Sequence, residues 1–335
     1  MRDQQLSGCL VGQCLGDALG FVVEGCSPAV CRKYVSETLN TGPAAGEGSR
    51  ASLAFGQYSD DSQLARELMQ SFAARGRFDP EDYARRIAAI FSEGRIVGGG
   101  RSTQEAAERL ARGVPWDEAG TSPPSAGNGS AMRAGPIGLF YFDDPEGMVR
   151  AAHDQGRITH RDPRCSAGAV AIAGAVALTL RGEHIDASRF LTRLTGWAGQ
   201  MDESVAYGIE RLAQWVDLPA KEAAPLISSV GRSSDYVDGW QGISPFVTSS
   251  VLWSLYSFLR SPEDYWETVC TAIAVGGDVD TTAAMAGAIS GAYLGLQVIP
   301  RRLAQYLTDQ GTWGFAELVE LAYECHQLKM GRGDE

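Results

Sequence analysis

Gly276-Gly277-Asp278-Val279-Asp280-Thr281-Thr282 opens onto Ala-Ala-Met-Ala-Gly-Ala-Ile-Ser-Gly-Ala-Tyr-Leu-Gly, which ends at Gly295. Gly287, Gly291 and Gly295 recur every four residues, so a helix here carries a glycine stripe along one face and can lie close against a neighbour. Asp278 and Asp280 fall at the start of that helix. An N-cap and a dipole-compensating acid account for one aspartate. Two, preceded by a glycine pair, suggest carboxylates that face something the backbone must approach closely. The first segment repeats the pattern: Gly8, Gly12, Gly16 and Gly20 have the same spacing within residues 4 to 22. The two stripes are fit to pack together.

The remaining helical patterns cover residues 80 to 91, 103 to 112, 165 to 180, 187 to 200, 204 to 216, 246 to 259, 265 to 275 and 315 to 327. No alternating strand pattern of useful length occurs. The expected fold is all-α, a single compact domain over residues 1–335, with residues 36 to 50 reading as a loop. The chain's 335 residues, 44% hydrophobic and 21% charged, suit a globular core. A formal charge of −12 argues against nucleic acid as a partner. Seven cysteines without metal-knuckle spacing read as reduced thiols in a cytoplasmic protein. The uncharged run between Arg164 and Arg181 is too short to span a membrane. The chain is expected to act as a monomer.

A second acidic helix start lies at Tyr58-Ser59-Asp60-Asp61-Ser62, followed by Leu64, Leu68, Met69 and Phe72 at helical spacing. Ser59 or Asp60 suits an N-cap. Asp17 and Glu24 sit near the C-terminal end of the first helix, where a carboxylate opposes the dipole and is either exposed or held by a partner. Asn128-Gly129-Ser130 reads as a turn whose N–H groups are able to face an anion. His160 precedes the alanine-rich helix in a polar loop. If the two acidic starts face one another, four carboxylates repel strongly unless neutralised. Carboxylates and hydroxyls without histidine or thiolate select Mg²⁺, Mn²⁺ or Ca²⁺, and the number of oxygens suits two ions.

Taken in order, these segments, with Gly127-Asn-Gly-Ser-Ala-Met132-Arg133 and Thr159-His160, resemble the ADP-ribosylglycohydrolase family, which includes the dinitrogenase reductase-activating glycohydrolases. The resemblance spans about residues 6 to 296. It implies an orthogonally packed all-α domain with two Mg²⁺ or Mn²⁺ ions, ligated by Ser59, Asp60, Asp61, Asp278, Asp280 and Thr281. Ser59 stands where the family usually has threonine. Asn128, Gly129, Ser130 and Met132 would lie along ADP-ribose, with His160 at its distal ribose or phosphates. Glu24 matches a glutamate that moves over the metals in some members. Asp61, Asp280 and Glu24 are the implied catalytic groups.

The implied reaction is hydrolysis at C1″ of an ADP-ribosylated protein or conjugate. Arginine-specific relatives resemble a pattern with an aspartate before the Ala-Gly-Asn motif; here Thr121 to Ser125 contain no acid, which favours an O-linked substrate. Two other readings stand beside this one: a non-catalytic ADP-ribose-binding or structural protein on the same scaffold, and a two-metal phosphohydrolase.

Overall fold

The computed structural model describes residues 3–39, 53–182, 184–232 and 238–331. They form helices α1 (Asp3–Phe21), α2 (Pro28–Lys33), α3 (Asp60–Arg75), α4 (Pro80–Ser92), α5 (Arg101–Ala111), α6 (Gly135–Phe140), α7 (Pro145–Arg157) and α8 (Pro163–Thr179). The second half adds α9 (Ala187–Ala198), α10 (Glu203–Leu212), α11 (Ala220–Ser229), α12 (Val247–Arg260), α13 (Tyr265–Ala274), α14 (Val279–Leu294), α15 (Arg301–Ala304) and α16 (Phe315–Gly331). Among the described residues only isolated β-bridges occur, so the all-α expectation holds. No described helix is long and apolar enough to cross a membrane, and all seven cysteines are free.

Helices α2, α6, α7, α11 and α15 are additions to the sequence reading. Three of these are six residues or fewer, too short for a periodic pattern to register. Helix α7 did carry start signals: Asp144 is its N-cap, accepting from the Gly147 N–H, and Pro145 is its first residue. The expected loop at 36–50 instead begins inside a π-helical turn, Tyr34–Leu39; residues 40–50 lie outside the described residues.

The two glycine stripes pair, antiparallel. A Cβ placed on Gly8 would meet the Gly291 carbonyl oxygen at 2.2 Å, on Gly12 that of Gly287 at 2.6 Å, on Gly16 that of Ala283 at 2.2 Å, and on Gly20 that of Val279 at 2.5 Å. Backbone therefore touches backbone along the whole of α1 and α14, both buried almost throughout. Tyr265 closes the seam by donating its hydroxyl to the Gly12 carbonyl at 2.8 Å. Because the pairing is antiparallel, the C-terminal end of α1 meets the N-terminal start of α14. Alanine-rich α8 is also nearly all buried, its Gly168 lying under Val247 and Val251 and its Gly174 under Trp197.

Gly16→Ala has no side chain that can swing aside, because the obstacle is the Ala283 peptide. It is expected to cost at least about 3 kcal/mol, beyond ordinary overpacking. Gly196, inside α9, has open space where a Cβ would go. Gly196→Ala should stabilise by roughly 0.5–1 kcal/mol through helix propensity alone. Thermal unfolding of both variants checks the pair; a Gly16→Ala protein as stable as wild type would contradict the seam.

Candidate functional site

The site begins with how α3 starts. Ser59 caps it, its hydroxyl oxygen accepting from the Asp61 N–H. The Asp60 N–H donates to the Val97 carbonyl at 2.7 Å. Asp17, reaching across from α1, accepts from the Ser59 N–H at 2.9 Å and from the Ser62 N–H at 3.0 Å. These first-turn donors would otherwise be orphaned. Of the two outcomes open to Asp17 in the sequence, the held carboxylate is the one observed, and it is fully buried.

The 276–278 turn is fixed just as firmly. The Ile243 N–H donates to the Gly276 carbonyl at 3.0 Å, and the Asp278 N–H to the Ile243 carbonyl at 2.7 Å. Gly276 and Gly277 have φ of 77° and 88°, and a Cβ on Gly277 would lie 2.0 Å from the Ile243 carbonyl oxygen. Only glycine serves at both. Asp278 occupies the N-cap position of α14 yet its side chain caps nothing. Its carboxylate instead accepts from Asn128 Nδ2 at 2.5 Å and from the Thr281 hydroxyl at 3.3 Å.

The two acidic starts face one another. The Thr281 hydroxyl lies 3.3 Å from Asp61 Oδ2, to which Ser59 also donates at 2.9 Å. Carboxylate oxygens of Asp17, Asp61 and Asp280 lie within 4.8 Å of one another, as do those of Glu24, Asp278 and Asp280. Either group has the donor set and spacing to hold a hard cation. Asp61 Oδ1 is buried without a hydrogen-bond partner, an orphan that a cation or a bound water would satisfy.

Crowding and burial raise the carboxyl pKa values. Burial pushes Asp17 up to about 7 against the pull of the Ser62 and Ser59 hydrogen bonds. Burial lifts Asp60 to about 6, opposed by the Gly100 N–H and aided by Glu24; it lifts Asp278 to about 7, again with Glu24 adding repulsion. Asp61 is raised well above the usual range by burial, then by Asp17, Asp280, Asp60 and Asp278. None of Asp17, Asp60, Asp61 or Asp278 has an ion-pair partner among the described residues.

Residues 127–132 form the adjoining wall. Asn128–Ser130 is a single 3₁₀ turn, and the Asn128 N–H is taken by the Pro245 carbonyl at 2.9 Å. The Ser130 hydroxyl donates to the Cys165 carbonyl at 2.9 Å, so that side chain serves the scaffold. Met132 is buried, and its carbonyl accepts from Gln13 Nε2 at 3.0 Å. A Cβ on Gly129 would lie 2.6 Å from His160 Cε1, which places the buried imidazole directly on this turn.

Sequence reasoning overlooked Gln13, whose amide joins the Asp61 and Met132 carbonyls, each at 3.0 Å. It also overlooked Gln63 and Arg66. Gln63 holds the loop that receives Asp60: its Oε1 accepts from the Val97 N–H and its Nε2 donates to the Arg95 carbonyl, both at 2.8 Å. Fully buried Arg66 pairs with Asp309 at 2.6 Å and with Glu67 at 3.1 Å. A polar residue on a helix face looks the same in sequence whether solvated or clamped, so no signal marked these three.

Comparison with known proteins supplies the context for this geometry. A family model described as ADP-ribosylglycohydrolase matches residues 2–335. An uncharacterized protein of Archaeoglobus fulgidus is 30% identical over 327 residues, covering 97% of each chain. ADP-ribosylhydrolase ARH3 of Gallus gallus is 30% identical over 347 residues, covering 96% of this chain and 92% of that one. ADP-ribosylarginine hydrolase Tri1 of Pseudomonas putida is 23% identical, covering 88% of this chain and 71% of its own. A solved ADP-ribosylglycohydrolase-related protein complex superposes with a TM-score of 0.72 at 25% identity, covering 98% of this chain and 99% of that one. The chain belongs to the ADP-ribosylglycohydrolase family.

Proposed function

We propose that this hydrolase is divalent-cation-dependent and cleaves the C1″ bond of an ADP-ribosyl conjugate, releasing ADP-ribose. The observation that carries the reading is the clustering of the Asp17, Asp61 and Asp280 carboxylates and of the Glu24, Asp278 and Asp280 carboxylates, with Ser59 and Thr281 bonded to Asp61, Thr281 also to Asp278, and Asp278 at a helix start it does not cap. An all-oxygen donor set fits Mg²⁺ or Mn²⁺, and two groups of carboxylates sharing Asp280 fit a pair of ions. When bound, such ions supply Lewis-acid polarisation and an activated water.

The chain's own residues do the positioning. Asn128 orients Asp278 by donating to one of its oxygens, and Thr281 ties Asp278 to Asp61. Asp61 Oδ1, lacking a protein donor, is the oxygen offered to a cation or to a water proton, and Asp280 is the second candidate base. Glu24, part-buried on the turn after α1, stands over the Asp278 and Asp280 side. Asn128, Gly129, Ser130, Met132 and His160 form the wall for ADP-ribose, Ser130 through its backbone because its hydroxyl is already used.

An O-linked conjugate is favoured over arginine. Thr121 to Ser125 offer no carboxylate to a guanidinium. The neighbouring acid, Asp162, is held by Arg164 at 2.7 Å, and the same arginine donates to the Pro124 carbonyl. The relative named for arginine is also the more distant in sequence.

Incubation with serine-, acetyl- and arginine-linked ADP-ribose should release ADP-ribose from the first two, and exclusive turnover of the arginine linkage would reverse the preference. Tight ADP-ribose binding without cleavage of any linkage would mark a non-catalytic binder; AMP or phosphate as product would mark a phosphohydrolase. Asp60→Asn and Asp278→Asn should each lower turnover by at least about a hundredfold, more than loss of a residue merely supporting a metal ligand, with unchanged circular dichroism. Full activity in either variant, or in excess chelator, contradicts the site.

Stability carries a sign of its own. A carboxyl whose folded pKa lies above its unfolded value of 3.8 binds more protons when folded, so its contribution to stability falls as pH rises. Chelated protein should therefore lose thermal stability as pH rises from about pH 4 through pH 7, the interval spanned by Asp17, Asp60 and Asp278, with Asp61, raised in the same sense, adding to the loss. Mn²⁺ should restore more stability at pH 8 than at pH 5, because its ligands must be deprotonated. A flat profile in chelator would show that the carboxylates are not crowded as described.

A further inference from the structure

His160 is held by a chain of buried polar groups that the reading above does not use. Arg133, fully buried, donates from Nε to Gln155 Oε1 at 3.0 Å and from Nη2 to the Gln155 carbonyl at 3.1 Å and to the Thr159 hydroxyl oxygen at 2.8 Å. Gln155 in turn donates Nε2 to the Ser130 carbonyl at 2.7 Å. Thr159 Oγ1 lies 2.8 Å from His160 Nδ1. Thr159 is fully buried, and its backbone is pinned by its own N–H to the Gly156 carbonyl and by its carbonyl to the Thr121 N–H.

Counting protons assigns the direction of this chain. Guanidinium can only donate, so it occupies an acceptor position on Thr159 Oγ1. If His160 Nδ1 also donated there, the fully buried threonine's own proton would be left with no acceptor among the described residues, at the cost of an unmade hydrogen bond. The hydroxyl proton therefore goes to Nδ1, and the imidazole proton sits on Nε2. That nitrogen would lie 3.4 Å from a Cβ on Gly127 and 3.2 Å from one on Gly129, and it has no hydrogen-bond partner among the described residues.

We propose that Thr159 is a positioning residue that locks His160 in its Nε2–H tautomer, with Arg133 orienting the threonine hydroxyl, so that a neutral imidazole presents one fixed donor beside the Gly127–Gly129 turn. The opposite tautomer would turn a lone pair toward that turn and repel a phosphate oxygen. Burial, and next the nearby Arg133 charge, hold the His160 pKa down to about 3 despite Asp162, which keeps the ring from becoming a second cation. The two glycines belong to the same device. A side chain at Gly129 would displace the ring itself, while one at Gly127 would come into van der Waals contact with the nitrogen that donates. The donor half of the proposal rests on the reading of this wall as an ADP-ribose surface; the tautomer does not.

Long-range ¹H–¹⁵N correlation spectra of uniformly ¹⁵N-labelled protein, free of ligand, test the relay directly, with the His160 signals assigned by their absence in His160→Gln. Wild type should show a pure Nε2–H pattern that does not change between pH 5.5 and pH 8. Thr159→Val should shift His160 toward a tautomer mixture, and Thr159→Ser should restore the wild-type pattern. Calorimetry with ADP-ribose should show affinity falling roughly tenfold in Thr159→Val, about one lost hydrogen bond, and recovering in Thr159→Ser. An Nδ1–H or doubly protonated ring in wild type overturns the proposal whether or not the valine variant folds, as does a pure Nε2–H ring in Thr159→Val. A wild-type relay as described in a protein that binds no ADP-ribose would instead count against the functional reading alone.

Discussion

The contact on which the rest depends is the bare backbone seam between α1 and α14. Side-chain-mediated helix packing leaves about 8–10 Å between axes. Here carbonyl oxygens of one helix sit where the Cβ atoms of the other would be, at Gly8, Gly12, Gly16 and Gly20. Such a seam has no rotamers to relax, so it sets register as well as distance. With Gly20 against Val279 and Asp280, the end of α1 can only lie beside the start of α14, and Asp17 can only lie beside Asp280 and Asp61. The site's geometry is thus decided at positions that have no side chain.

Helix α3 is then brought to the seam by its own unsatisfied N–H groups. Asp17 takes two, Ser59 one and the Val97 carbonyl one, so the helix start is capped partly by a different helix and partly by the loop after α4. This turns a local capping need into a tertiary restraint. On the far side of α3, Arg66 and Gln63 hold the same helix to Asp309 in the turn after α15, with Glu67 pairing Arg66 from its own helix. Removing one partner from such a buried group leaves the others uncompensated. Asp60 and Asp61 are therefore held from both ends of the first two turns.

Much of this was written in the chain. Both glycine stripes and the two acidic helix starts follow from spacing and residue type, because a period of four glycines has few other physical uses; that the starts face one another was a supposition until the structure placed them. The function of Asp278 was less legible: at a helix start it reads as a cap, and only the structure shows its carboxylate turned toward Asn128 and Thr281. Ser130 illustrates the converse, a hydroxyl beside the site that is spent on the Cys165 carbonyl. The roles of Gln13, Gln63, Arg66 and Arg133 were not legible in sequence, since each has a partner between 22 and 246 residues away. Hydrogen bonds of that span obey no period.

The carboxylates also argue against a purely structural site. A buried acid is tolerated when a cation or several donors compensate it. Asp17 has its two N–H donors, but Asp61 keeps an orphaned oxygen and is raised further by four neighbouring acids. Arg133, a buried cation whose field reaches Asp60, is committed to Gln155 and Thr159 and makes no bond to Asp60. Replacing these aspartates by asparagine would relieve repulsion while leaving in place the backbone contacts at Gly8, Gly12, Gly16 and Gly20 that make the seam. A fold that holds the charges together in spite of this has to neutralise them, and the all-oxygen donor set is of the kind that a hard cation takes.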